Sequence, residues 1–158
     1  MSYTIPTEFP ARPFQNTIED KQTIFSAVWD YFITQGNPPC FIINTFGGKS
    51  CQYRGAGGSD IPPLEACAVG IFLPECPEMQ SIFPIINQSY GIEQLFCKAY
   101  ADQRVPPLIK RVFSPDLKDF LKNLQSAHDN SVEMPNPTES IQSSLINLAT
   151  QEGLTIPA

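Results

Sequence analysis

Charge is what this 158-residue chain has least of. Lys and Arg number 10 and Asp and Glu 16, so charged residues are 16% of the total, against about 25% in ordinary soluble domains. The surface therefore relies on uncharged polar groups. The balance is acidic, at a net charge of -6, which argues against general binding to a phosphate backbone. Long apolar runs are missing too: no stretch approaches the roughly 18 residues of a membrane span, and no membrane partner is expected. Residues 1–15 hold one Arg and three Pro and no apolar run, which does not fit a secretory signal. Histidine occurs once, at 128, and the five cysteines at 40, 51, 67, 76 and 97 include no Cys-x-x-Cys pair. Structural zinc sites use close ligand pairs and four ligands, so neither a metal nor another cofactor is expected. An odd cysteine count without a secretory signal reads as reduced thiols in a cytoplasmic protein.

Proline is in excess instead, at 16 residues, about twice the usual share. Its placement organises the chain. Pro6, Pro10 and Pro13 hold residues 1–15 as an extended arm. Residues 16–158 then read as one globular domain, long enough to bury roughly 70% of its unfolded surface. The spacing of Ile24, Phe25, Val28, Trp29, Phe32 and Ile33 predicts an amphipathic helix that starts at Asn16 or Thr17 and stops at Gly36. Six of the nine glycines then fall between Gly36 and Gly58, with Pro-Pro at 38–39 and 62–63. Short strands at 40–44, 51–54 and 66–73 fit this middle better than helix. A helix capped by Ser89 carries Ile92, Leu95, Phe96, Ala99 and Tyr100, and Pro106-Pro107 separates it from the next. Ser114-Pro115 opens a helix with Leu117, Phe120, Leu121, Leu124 and His128 on one face. Asn136-Pro137-Thr138-Glu139 opens the last, ended by Gly153. The expected fold is α+β: four or so helices packed on a small antiparallel sheet or irregular hairpin.

Two groups of residues carry candidate chemistry. Lys49, Tyr53, Arg54 and Gly55 lie together among turn glycines. Glycine lets backbone N–H groups turn towards an anion, arginine offers a planar fork, and tyrosine offers a stacking face. These are parts of a pocket for a small anionic or nucleotide-like ligand. The competing reading is a surface turn whose Arg pairs with a nearby acid. Gly48-Lys49-Ser50 does not extend to a P-loop, because Ile43 stands where that motif needs glycine. The second group is Cys51 or Cys67 with His128, oriented by Asp129. A cysteine nucleophile needs a base in hydrogen-bond reach and a third group to hold that base. Against this, an apolar-flanked Cys67 is by default an inert packed thiol. His128 lies eleven residues after Leu117, about three helical turns, so it faces inward near a helix end. Arg104, Lys110, Arg111, Lys118 and Lys122 are interrupted by Asp116 and Asp119 and read as a solvated face.

Gln35-Gly36, Cys51-Gln52-Tyr53-Arg54, Cys67-Ala68-Val69-Gly70, Pro77-Glu78-Met79, Leu124-Gln125 and His128-Asp129-Asn130 follow one another over about residues 16–150. This order resembles a family of small uncharacterised proteins of bacteria and tailed phages, with a C-x-Y-R loop, a C-A-V-G segment and a late L-Q-x-x-H-D helix. The chain departs from that pattern in a longer 55–65 loop carrying Pro62-Pro63, and in Gln80-Ser81 where members have Glu-Gly. The resemblance implies a phage or mobile-element accessory protein and carries no activity over. The leading expectation is a non-catalytic binding protein. A cysteine enzyme and a module docking a host protein through the arm are the alternatives, and a low-charge surface also suits contact with a second copy.

Overall fold

The computed structural model describes residues 3–43, 45–55, 66–88, 90–99 and 102–157. Among the described residues the fold is α+β: helices together with one small two-stranded antiparallel sheet. Helix α1 (Ile18–Trp29) starts where Thr17 accepts from the Asp20 N–H, and it runs into a π-helical turn at Asp30–Thr34 before Gly36 takes φ 70°. Strands β1 (Phe41–Ile43) and β2 (Lys49–Cys51) pair in the register Phe41↔Cys51, Ile43↔Lys49, with Gly47 at φ 82° in the turn. Positive φ at both glycines is where the absent Cβ is needed.

The expected strand over 66–73 is corrected. Ala66 makes one antiparallel bridge to Arg54, and Cys67 N donates to Tyr53 O at 3.2 Å. The chain then curls into a 3₁₀ turn at Gly70–Phe72. Residues 66–74 are all buried, and a strand with only one such partner could not shelter both of its faces. Likewise the second strand stops at Cys51, and Arg54 belongs to that bridge alone.

Four short helices follow: α2 (Pro77–Gln80), α3 (Phe83–Ile86), α4 (Ile92–Phe96) and α5 (Val105–Ile109). Helix α4 is shorter than expected because Cys97 is extended, and its start is Gly91, whose N–H donates to Gln94 Oε1. Ser89 and Tyr100 lie outside the described residues. Pro106-Pro107 does not separate helices; the pair sits in the first turn of α5, where missing N–H groups leave no bond unmade. Helix α6 (Lys118–Asp129) follows a 3₁₀ turn at Pro115–Leu117, and α7 (Pro137–Glu152) runs from Asn136, whose side chain accepts from Glu139 N, to Gly153 in the left-handed conformation.

Helices α1, α6 and α7 pack together over Ile24, Phe25, Leu121, Leu124, Ile141 and Leu145, all nearly inaccessible. Each such side chain contributes about 1.5–3 kcal/mol. Residues 3–15 contain no helix and lie on this core rather than standing free of it. Phe14 makes a bridge to Phe113 and meets Phe72 edge-on at 5.7 Å, while Tyr3 OH donates to Ile71 O. Asp20 accepts from Arg12 and from Gln15 N–H, which holds its carboxyl below the usual range.

Candidate functional site

The elements 51–54, 67–70 and 124–129 converge. Gln125 on α6 accepts from Val69 N–H at 3.3 Å and donates to Asp129 Oδ1 at 2.9 Å. Cys51 Sγ, a His128 ring nitrogen and an Asp129 carboxylate oxygen lie within 4.8 Å of one another, the one such group among the described residues. So the structure does bring Cys51, His128 and Asp129 together, as the second candidate group requires.

Their hydrogen bonds are committed elsewhere. His128 is buried, and its Nε2 accepts the backbone N–H of Cys40 at 2.9 Å. That donor leaves Nε2 without a proton, so Nδ1 carries it and donates to Asp129 Oδ1 at 2.8 Å. The Cys51 thiol is bonded to Asp129 rather than to the imidazole. Burial first, then the Asp129 carboxylate, pushes the Cys51 thiol well up, so it holds its proton at neutral pH. A nucleophile–base–orienter relay needs a ring nitrogen able to take the thiol proton; here Nε2 accepts from Cys40 N–H and Nδ1 faces Asp129. The fixed tautomer bears equally on a metal: Nδ1, the nitrogen facing Asp129, holds a proton where a ligand needs a lone pair.

Cys67 has no exposed surface, and its Sγ accepts from Gly70 N–H at 3.3 Å. Burial raises this thiol also. It is packed as an apolar-flanked cysteine should be.

The first candidate group is dispersed. Lys49 Nζ donates to Val132 O at 2.6 Å and lies over Phe41. Tyr53 is 5% exposed and donates through its hydroxyl to Tyr90 O, so its ring offers no open stacking face. Arg54 is 2% exposed. Its Nη1 donates to Leu73 O at 2.9 Å, its Nη2 pairs with Glu75, and its guanidinium lies over Phe83. Burial lowers the guanidinium's pKa while Glu75 works against that, the balance of a charge buried with its partner. The competing reading was a surface turn whose Arg pairs with a nearby acid; Arg54 does pair with Glu75, but it is buried and not on a surface turn. Arg104 and Lys122 of the basic stretch are likewise paired, with Asp102 and Glu93.

The segment 51–55 separates two grooves. One, of about 450 Å³, opens on Lys49, Cys51, Tyr90, Lys122 and Asp129. The other, of about 550 Å³, is walled by Arg54, Gly55, Glu75, Gln80, Phe83 and Gln88. Gln52 touches both. Asn87 also lines the larger one: its oxygen accepts from Tyr53 N and Arg54 N, and its nitrogen donates to Arg54 O. Arg54 Nε is the buried side-chain polar atom without a hydrogen-bond partner among the described residues. Sequence spacing singled out Arg54 and Gly55 but not Gln80, Phe83 or Gln88, which reach this groove from α2, α3 and the turn after it.

No helix among the described residues is long and apolar enough to cross a membrane, and none of the five cysteines forms a disulfide. Comparison with protein families, curated proteins and solved structures finds no match.

Proposed function

We propose that this is a non-catalytic binding protein, and that the groove beside Arg54 holds a small nucleotide-like ligand. The observation carrying this reading is the groove itself: about 550 Å³ beside the buried Arg54–Glu75 pair, with the exposed carboxamides of Gln80 and Gln88 on its rim and Phe83 in its wall. The protonated thiols and the carboxylate-centred cluster favour binding over thiol catalysis. In the setting that the sequence resemblance implies, this is an accessory protein of a phage or mobile element.

The test is a thermal-shift screen against nucleosides and nucleotides. Saturating ligand at about a hundred times its Kd raises stability by about 2.7 kcal/mol. Arg54→Ala would confuse loss of ligand with loss of the buried pair to Glu75, so the blocking variant is Gln80→Trp, at an exposed position on the rim. A stabilising ligand whose effect survives Gln80→Trp would remove the groove from the account. Silence across the whole screen would remove the function.

A further inference from the structure

Resting on that reading, we propose that the Arg54 groove recognises the heterocyclic base of its ligand and not a phosphate. Arg54 and Glu75 are the charged groups among the described lining residues, and they neutralise each other. No lysine joins them there, and the chain as a whole carries -6. A phosphate brought into the groove would meet the Glu75 carboxylate beside Arg54, a like-charge approach with no second cation among the described lining residues to offset it. A neutral acceptor meets no such penalty.

The rest of the wall suits a base. Gln80 and Gln88 are exposed and make no side-chain hydrogen bond among the described residues. Each presents a donor and an acceptor side by side, the pattern that matches the edge of a heterocycle. Gln52 has given its amide nitrogen to Asn87 O and Cys51 O, which leaves its oxygen to accept. Phe83 and Pro84 supply apolar wall for a flat ring. Three carboxamides around an apolar wall therefore read hydrogen-bonding edges, and charge is not read.

Isothermal titration of the full chain tests this with guanosine, uridine and adenosine, the 5′-monophosphates of the same bases, and inorganic phosphate. At least one nucleoside binds, and its monophosphate binds within about threefold of it with little response to salt, as a contact without net charge requires. Inorganic phosphate gives no heat. Gln80→Leu and Gln88→Leu each weaken the nucleoside by about tenfold, the lower end for a carboxamide-to-base contact, and leave the melting temperature of the ligand-free protein unchanged. Monophosphate binding tenfold or more above the nucleoside, or binding of phosphate alone, overturns base recognition and leaves the binding function standing. So does a nucleoside affinity that neither glutamine variant changes. If none of the compounds binds, the binding function falls, and this inference with it.

Discussion

The backbone N–H of Cys40 donates to His128 Nε2, joining the start of the hairpin to the last turn of α6 by a buried bond of 2.9 Å. This one bond sets the protonation of the ring and, through it, the character of the whole cluster. With the proton on Nδ1, Asp129 becomes a shared acceptor for His128 and Gln125, and the Cys51 thiol is bonded to it as well. Helix α6, the hairpin and the 67–72 turn are tied at a single carboxylate. The arrangement locks three elements together and leaves no nitrogen poised to take a proton from sulfur.

Replacing His128 by leucine keeps the volume and removes both bonds. The Cys40 N–H is then buried without an acceptor, which costs about 1–3 kcal/mol, and the lost charge-assisted bond to Asp129 adds to it. His128→Leu is expected to lower the urea midpoint by an amount corresponding to about 2–4 kcal/mol. A change below about 0.5 kcal/mol, as at an ordinary surface position, would show that the ring only fills space. The tautomer itself is open to nitrogen-detected NMR, where the proton must be found on Nδ1.

The Cys51 thiol should resist alkylation at pH 8, since burial and then the neighbouring carboxylate hold its proton. Asp129→Asn removes the charge and keeps an oxygen for His128 Nδ1–H. The variant should therefore react faster with iodoacetamide at Cys51 than the parent protein does, read by peptide mass spectrometry. Equal rates would mean that burial alone protects the sulfur.

Alkaline pH should weaken the fold. The Cys67 thiol is raised by burial in the folded state, so the folded chain keeps its proton while the unfolded chain loses it above the ordinary thiol pKa of about 8.5. The unfolded state then binds fewer protons, and stability falls by about 1.4 kcal/mol per pH unit for that thiol; below pH 8.5 it contributes no slope. Cys51 acts in the same direction. Urea midpoints at pH 7.5 and 9.5 measure the effect, and Cys67→Ala should flatten it. A midpoint independent of pH across that range rules out a protected Cys67.

The sequence was legible where a periodic stripe coincided with a capping residue. Thr17, Asn136 and Gly153 bound α1 and α7 as their side chains and φ preferences require. It misled where local pattern yields to tertiary burial. Residues 66–73 read as a strand because they are apolar throughout, but enclosure on all sides favours a curled segment as much as a ladder. Arg54 and Tyr53 stand out in the sequence for their polar groups, but nothing in 49–55 reveals that Glu75 and Tyr90 come round to bury them. Gln80, Phe83 and Gln88 carry no local signal, because a groove wall is assembled by the packing of short helices and not by spacing within one.

Gly70 gives the sharpest test of that packing. A methyl group built there would lie 1.7 Å from the carbonyl oxygen of Tyr53 and 2.6 Å from its carbon. Both are backbone atoms, so no side-chain rotation can make room, and the glycine is required by space and not by an unusual φ. The contact holds the 51–54 segment against the 67–72 turn, where Cys67 N also donates to Tyr53 O. Gly70→Ala must therefore push the 67–72 turn away from the 51–54 segment, which carries Arg54 and Cys51, against a core whose shape changes cost about 1–3 kcal/mol for each added methylene and more at rigid backbone. The expected result is a loss of about 3 kcal/mol or more in urea denaturation, together with faster alkylation of Cys51 as its shelter opens. An alanine variant as stable as the parent would mean that the turn does not approach Tyr53 this closely, and the route by which the 67–72 turn braces the groove wall would have to be abandoned.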